Sequence, residues 1–102
     1  MPQAMSDAEV RQALEALPGW THAGGALRKE LRFSGFSEAF AFLTRVALLA
    51  EKRDHHPDFS CSYSRVTLEL SSHDAGGVTG RDVELARAIE GLLQPPAAPQ
   101  AA

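Results

Sequence analysis

The chain has 102 residues, which is the length of one compact domain rather than two. Hydrophobic residues make up 44% and charged residues 23% of the sequence, as in average folded soluble proteins, so the composition argues against a disordered chain. Ten Lys and Arg residues against thirteen Asp and Glu residues give a net charge of -3, which argues against a protein that binds nucleic acid through phosphate contacts.

The sequence also argues against a secreted or membrane protein. Its first ten residues have neither the basic nor the apolar segment of a secretion signal. Its longest apolar run, residues 46–50, is far shorter than the ~20 residues that span a bilayer. The single cysteine, Cys61, excludes an internal disulfide and a cysteine-based zinc cluster. We therefore expect a cytoplasmic protein whose folded domain covers residues 6–93, with flexible termini at residues 1–5 and 94–102.

The first helix is predicted by its start signal. Ser6 can accept a hydrogen bond from the backbone of Glu9 while Glu9 reaches back, which is the S-x-x-E capping box. Four apolar residues then share one face of the helix: Val10, Ala13, Leu14 and Leu17. The Pro18-Gly19 step ends it.

A hairpin follows this helix. Strands are predicted over residues 20–22 and 26–33 because Gly24-Gly25 between them is a tight-turn signal. The apolar residues on one face of the second strand are Leu27, Leu31 and Phe33. Lys29 interrupts that face.

The second helix, predicted over residues 37–53 with Ser37 as its cap, carries two apolar stripes. The first stripe consists of Phe36, Phe40, Leu43, Ala47 and Ala50. The second, on roughly the opposite side, consists of Phe42, Val46 and Leu49. A surface helix needs only one such stripe, so we expect the first to cover a sheet and the second to join copies of the chain into a homodimer or homotetramer. The alternative is a central helix buried on all sides.

Two period-2 patterns after Pro57 predict a second hairpin with a tight connection near Ser64. Their apolar positions are Phe59, Cys61 and Tyr63, then Val66, Leu68 and Leu70. Thr79 caps a last helix, whose apolar residues are Val83, Leu85, Ala86, Ile89, Leu92 and Leu93. The order α-β-β-α-β-β-α predicts a single α+β domain with a four-stranded, mostly antiparallel sheet and three helices packed on one face.

Three of the four histidines flank the second hairpin. His55 and His73 are each nine residues from Ser64, so pairing through that turn puts them at the same end of the sheet. Because histidine titrates near neutral pH, with an ordinary pKa of about 6.5, such a pair can supply a proton donor and a proton acceptor. Pro57 biases His56 to extended backbone.

Other interpretations of these residues stay open. His55 or His56 can be only a partner of the helix dipole. Asp82, three residues after Thr79, fits a capping box. A zinc site made of three histidines is disfavoured, because His55 and His56 are adjacent and the side chains of adjacent residues in an extended chain point in different directions. We therefore expect no metal ion, and we interpret Cys61 as a small core residue.

A wider pattern connects these residues. The sequence E-x3-H-H-P-x5-Y-x9-H-x8-D, which runs from Glu51 to Asp82, resembles the pterin-4a-carbinolamine dehydratase family. Gly19-Trp20 and the segments FAFLTRVALLAEK and GGVTGRDVELARAIE are similar to the family as well, so the resemblance covers residues 6–93. Two positions depart from it: Phe59 replaces the usual tryptophan, and Ala75 replaces a cysteine found in some members.

The resemblance implies a hydro-lyase that converts 4a-hydroxytetrahydropterin to quinonoid dihydropterin and water, recycling the pterin used by aromatic amino-acid hydroxylases. It implies no metal and no organic cofactor. His55, His56 and His73 match the active-site histidines of the family. We assign proton transfer to His55 and His73, and substrate positioning and charge stabilisation to His56. The substrate-binding residues implied in the same way are Asp54, Pro57, Phe59, Ser71, Ser72, Asp74 and Asp82.

The alternative function is a protein-binding module. Vertebrate members of the family also act as a dimerisation cofactor for a homeodomain transcription factor through the second helix, and the stripe Phe42, Val46 and Leu49 fits such a partner or self-association. A structural role with an inactive site is disfavoured by the three intact histidines. We expect neither direct nucleic-acid binding nor membrane binding.

Overall fold

The computed structural model describes residues 3–93 and has the predicted order of helices and strands, which confirms the α+β class. Its elements are α1 (Asp7–Leu14), β1 (Thr21–Ala23), β2 (Ala26–Arg32), α2 (Phe36–Arg53), β3 (Asp58–Ser62), β4 (Arg65–Leu70) and α3 (Gly80–Leu93), with a 3-10 turn at His73–Ala75. Residues 1–2 and 94–102, part of the predicted flexible termini, lie outside the described residues. No helix within residues 3–93 is both long enough and apolar enough to cross a membrane.

The four strands form one antiparallel sheet in the order β1-β2-β4-β3. The second hairpin turns at Tyr63 and Ser64, as predicted, and Tyr63 has a left-handed φ of 54°. One face of β4 is buried and carries Val66, Leu68 and Leu70. These side chains share a core with residues of all three helices, so the helices cover this one face of the sheet.

Lys29 occupies a mostly buried position on β2, and its partners explain why a charge is tolerated there. Its Nζ atom lies 2.5 Å from Oε1 of Glu90 on α3 and donates to the carbonyl oxygen of Pro18. Trp20 Nε1 donates to the same oxygen of Glu90. A buried charge is stable when it is paired and hydrogen-bonded. Trp20 therefore belongs to this cluster rather than to β1, which begins one residue later than predicted, at Thr21.

The predicted capping box at the start of α1 is present. Ser6 Oγ accepts a hydrogen bond from the N–H of Glu9, and the Glu9 carboxylate accepts one from the N–H of Ser6. This backbone hydrogen bond lowers the pKa of Glu9 below its ordinary value. The helix ends at Leu14, so Leu17 lies in the turn that follows rather than on the helix, although it is still buried in the core.

The start of α2 and the assignment of its faces differ from the prediction. The helix begins at Phe36 with Gly35 as its N-cap and no side-chain cap, so the predicted cap at Ser37 is wrong. Phe42 and Val46 are only 6% and 1% exposed. The stripe predicted to join copies of the chain is therefore part of the chain's own core.

The core side of α2 combines residues of both predicted stripes. Its buried residues are Ala39, Phe42, Leu43, Val46 and Ala50. Three large apolar side chains lie outside the core instead: Phe36 is 52%, Phe40 49% and Leu48 67% exposed. The spacing of apolar residues along α2 reveals two apolar sides, but it does not show which of them is buried. Packing against β4 and α3 decides that.

Two phenylalanines of α2 test this orientation directly. Phe42→Ala should lower the free energy of unfolding by about 3–5 kcal/mol, because it leaves a cavity in the core. Phe40→Ala, the matched control on the exposed side, should cost less than about half of that amount. Urea denaturation of both variants measures the difference. Equal losses, or a larger loss for Phe40→Ala, would contradict the orientation of α2.

Candidate active site

The end of α2 fixes the backbone of His55. Asp54 has left-handed backbone, with φ 50° and ψ 42°, and the N–H of His55 donates to the carbonyl oxygen of Ala50. This is the hydrogen bond of a Schellman motif, which closes the last turn of a helix after a left-handed residue. Aspartate is one of the few non-glycine residues that adopt this backbone readily. The helix end therefore determines where the His55 side chain begins.

The loop after β4 places His73. Ser72 and Gly77 form an isolated antiparallel bridge. The N–H of Ser72 donates to the Gly77 oxygen at 2.9 Å, and the N–H of Gly77 donates to the Ser72 oxygen at 3.3 Å. The bridge closes the loop that contains the 3-10 turn at His73–Ala75. Because β3 and β4 pair antiparallel, the hairpin brings this loop back to the end of α2.

The three predicted histidines line one cleft of about 360 Å³. The lining residues are Asp54, His55, His56, Ser71, Ser72, His73 and Asp74. Seven of the ten predicted site residues therefore meet in this cleft, although they come from two separate segments of the chain. Its volume lies in the range of sites for small molecules. Larger clefts beside α1 are lined by none of the ten in the described part of the chain.

A buried carboxylate lies behind the cleft. Asp82, in the first turn of α3, is 0% exposed. Its Oδ1 atom lies 2.5 Å from Nε2 of His55. Its Oδ2 atom accepts hydrogen bonds from Ser72 Oγ and from the N–H of Thr79, both at 2.9 Å. The bond with Thr79 is the capping contact expected for the start of α3, so Asp82 caps the helix and holds His55 at the same time.

The direction of these hydrogen bonds follows from the number of protons. Ser72 donates its only hydroxyl proton to Asp82, so the hydroxyl of Thr79, 2.8 Å away, donates to Ser72 Oγ. Within residues 3–93, every buried side-chain N or O atom has a hydrogen-bond partner. The side chains of Ser72 and Asp82 are thus fully engaged below the surface. Asp82 thus contacts His55 directly, and Ser72, which also borders the cleft, is joined to His55 through Asp82.

The contact with Asp82 also sets the tautomer of His55. A carboxylate accepts hydrogen bonds and does not donate them, so Nε2 of His55 carries a proton. In the neutral ring the lone pair then lies on Nδ1. The His55 ring is mostly buried and is held in one orientation.

The other two histidines are more exposed. His56 Nε2 lies 2.6 Å from Oε1 of Glu51, one turn back on α2, and both side chains are exposed. His73 is exposed, and its ring makes no hydrogen bond to any residue in the described range 3–93. The cleft therefore combines one histidine fixed by a buried carboxylate with two that are open to solvent and to ligands.

Asp74 and Arg81 form an ion pair at the edge of the cleft. Arg81 donates to Oδ1 of Asp74 at 2.6 Å. This hydrogen bond lowers the pKa of Asp74 below its ordinary value, and the positive charge of Arg81 lowers it further. Asp74 is thus held as an anion beside the histidines. Arg81 was not identified from the sequence, because its distance to Asp74 depends on the conformation of the intervening loop.

Besides Asp82, two predicted site residues do not line the cleft. Pro57 follows His56 directly and is partly buried, so it can shape the chain beside the cleft. Phe59 is 61% exposed and lies on the edge strand β3, opposite Leu68. Within residues 3–93, no group of three or more His, Cys, Asp or Glu side chains is arranged to hold a metal ion.

The chain is similar to one protein family over almost all of its described length. Residues 3–92 match the family model of pterin 4 alpha carbinolamine dehydratase. A relative from Prochlorococcus marinus (strain MIT 9303), named "Putative pterin-4-alpha-carbinolamine dehydratase", is 52% identical over 87 residues, which cover 85% of this chain and 90% of the relative.

Two solved structures share the fold. The crystal structure of a transcriptional coactivator/pterin dehydratase from Brucella melitensis has a TM-score of 0.85 and 37% identity, covering 88% of this chain and 98% of that chain. A pterin dehydratase-like protein, described as a RuBisCO assembly factor in the alpha-carboxysome, has a TM-score of 0.63 over 72% of this chain and 88% of that chain. Its identity is 22%, so that likeness shows the fold alone.

The pairing of Asp74 with Arg81 predicts a measurable titration shift. In Arg81→Gln the pKa of Asp74 should rise toward its ordinary value, because the hydrogen bond and the positive charge are both removed. In the wild type, the stabilisation from this pair is complete above the ordinary aspartate pKa and is lost as the pH falls through the lowered value. Carboxyl ¹³C NMR titration of Asp74 measures both proteins. An unchanged Asp74 titration in Arg81→Gln would contradict the pairing.

Proposed function

The chain belongs to the pterin 4 alpha carbinolamine dehydratase family, and on this basis we propose that it converts 4a-hydroxytetrahydropterin to quinonoid dihydropterin and water. The observation that best supports this activity is the cleft in which three histidines meet, one of them held by a buried carboxylate. We further propose that the reaction recycles the pterin used by aromatic amino-acid hydroxylases, in the cytoplasm.

The reaction is an elimination that needs one base and one acid. The base removes the proton from ring N5 of the pterin. The electron pair of that N–H bond forms the double bond between N5 and C4a, and the bond between C4a and the hydroxyl oxygen breaks. The acid gives its proton to the departing hydroxyl, which leaves as water. The proton lost at N5 balances the proton gained by the hydroxyl and no electrons are gained or lost overall, so the step needs no redox cofactor. We propose that the histidines act without a metal ion.

We assign the base to His55 and the acid to His73. With its Nε2 proton donated to Asp82, neutral His55 has a lone pair on Nδ1 that can accept the N5 proton. The carboxylate of Asp82 then lies next to the imidazolium that forms and stabilises its charge. His73 also lines the cleft, is exposed, and lies in the loop after β4, so its ring can donate a proton to a bound molecule.

The remaining residues of the cleft bind and position the pterin. His56, paired with Glu51, supplies positive charge and orientation. Asp54, Ser71 and Asp74 offer hydrogen-bond acceptors for the N–H groups of the pterin ring. Asp82 and Ser72 act from behind by orienting His55, and Pro57 shapes the chain beside His56. Phe59 could form an aromatic wall only where a neighbouring molecule covers β3.

A double substitution tests the assignment of the two proton-transfer residues. His55→Ala combined with His73→Ala should remove most of the acceleration, since general acid–base groups contribute about 10²–10⁴-fold. His22→Ala is the matched control, because His22 lies on β1 and does not line the cleft. The decay of 4a-hydroxytetrahydropterin, followed by absorbance, measures the rate, and circular dichroism checks the fold.

Two outcomes would contradict this assignment. One is turnover by the double variant at the rate of the wild type. The other is a loss in His22→Ala as large as the loss in the double variant, which would show that any histidine substitution disturbs the protein.

A second proposed role is self-association or partner binding through α2. The observation that favours it is the exposed apolar surface of Phe36, Phe40 and Leu48. Large exposed apolar patches on a small domain are typical of interfaces between proteins. The interface would use this side of α2, rather than the stripe with Phe42 and Val46 that the sequence suggested. We propose a homodimer or homotetramer, without direct contact to nucleic acid or membrane.

Sedimentation tests this second role. Leu48→Ser and Phe40→Ser together should shift the wild-type mass toward that of a monomer, because they remove apolar area from the interface. Arg45→Ser is the control, as Arg45 is also exposed on α2 but is already polar. A wild-type chain that sediments as a monomer at micromolar concentration would contradict self-association through this surface.

A further inference from the structure

We propose that the segment of residues 3–5 is a positioning strap for the loop that carries His73, and that Met5 is its anchor. The proposal rests on the proposed dehydratase activity for its catalytic consequence. The sequence predicts this segment to be a flexible end. In the structure the segment lies against the loop of residues 72–79 and forms a backbone hydrogen bond with it.

The central contact is a backbone hydrogen bond. The N–H of Met5 donates to the carbonyl oxygen of Val78 at 2.7 Å. Met5 is partly buried and packs against the hydrophobic core, and Val78 belongs to that core. The residue after Met5 is Ser6, the N-cap of α1, which is locked by its capping box with Glu9. The donor therefore comes from a rigid helix start rather than from a free chain end.

The contact continues along the strap to Gly77. A Cβ atom built on Gly77 would lie 3.3 Å from the Cβ of Ala4, which is closer than most such contacts. Ala4 thus packs directly against the backbone of the loop. Gly77 is also the partner of Ser72 in the bridge that closes the loop around the 3-10 turn. The strap consequently covers one side of that bridge.

Apart from the strap, the loop is held by the buried side chains of Ser72, Val78 and Thr79 and by the ion pair of Asp74 with Arg81. Within the described residues, a single backbone hydrogen bond joins the loop to a segment outside residues 72–83, and Met5 donates it. The side-chain network of Ser72, Thr79 and Asp82 holds the two ends of the loop. The exposed turn between these ends carries His73 and Asp74. The strap fixes the Val78 side of this turn, and so it limits how far His73 can move relative to His55.

Two substitutions at Met5 separate the hydrogen bond from the side chain. Met5→Pro removes the N–H that bonds to Val78, and it also removes the methionine side chain. Met5→Ala, the matched control, removes the side chain but keeps the N–H. Hydrogen exchange of the Ser72 and Gly77 amides reports the bridge. Both amides should exchange about fivefold faster in Met5→Pro than in Met5→Ala, while amides of the β2–β4 pairing stay unchanged.

Activity provides the second readout. In Met5→Pro, kcat should fall by about tenfold relative to Met5→Ala, within the ~10²-fold that a displacement of about 1 Å can cost. Thermal unfolding of both variants shows whether they are folded at the assay temperature. A positioning role predicts a loss in kcat at saturating pterin, which a small change in the folded fraction does not produce.

A second pair of variants avoids proline. Gly77→Ala should push the strap away from the loop and reproduce the faster exchange, because its new Cβ meets Ala4. Combining it with Ala4→Gly removes the opposing Cβ and should restore slow exchange and kcat. Rescue of this kind is expected only if the two residues act through their contact.

The outcomes separate this inference from the proposed function. If Met5→Pro and Met5→Ala have equal exchange rates and equal kcat, or if Ala4→Gly does not rescue Gly77→Ala, the strap is refuted. If the wild type has no dehydratase activity, the proposed function fails, and the exchange rates still decide whether residues 3–5 hold the loop. Faster exchange without any loss of kcat would refute the positioning of His73.

Discussion

One buried carboxylate connects the parts of the candidate site. Asp82 accepts hydrogen bonds from the end of α2 through His55, from the loop after β4 through Ser72, and from the start of α3 through Thr79. Removing any one donor would leave part of a fully buried acceptor unsatisfied, which typically costs about 1–3 kcal/mol. The first of these bonds also sets the tautomer of His55. The stability of the start of α3 and the orientation of His55 therefore depend on the same carboxylate.

The sheet and the helices bring residues that are distant in the sequence together around Asp82 and the cleft. The β3–β4 hairpin returns the chain so that the loop with His73 meets the end of α2. The Schellman turn at Asp54 ends α2 at Arg53, two residues before His55. The Lys29–Glu90 pair joins β2 to the last part of α3. Rigid elements therefore support the mostly buried His55, whereas the exposed His73 lies on a short loop with its own supports.

The sequence predicts those features that depend on local spacing or on a short hairpin. The capping box at Ser6, the turn near Ser64 and the meeting of His55 with His73 follow from residues close in the chain. The sequence does not predict which side of α2 is buried, because both sides are apolar and only packing against β4 and α3 selects one of them. Arg81 and the inward direction of Ser72 depend on the path of the loop, including left-handed Gly76, with φ 73°. The pairing of Lys29 joins residues 61 positions apart, which no local pattern reveals.

The most direct test of the account is the decay of 4a-hydroxytetrahydropterin, generated in solution and followed by absorbance, with and without the purified chain. The decay rate should exceed the spontaneous rate and rise in proportion to the protein concentration. Asp82→Asn keeps the size of the side chain but weakens the hydrogen bond to His55, so it should lower this rate while the protein stays folded. A decay rate equal to the spontaneous rate at every wild-type concentration would contradict the account.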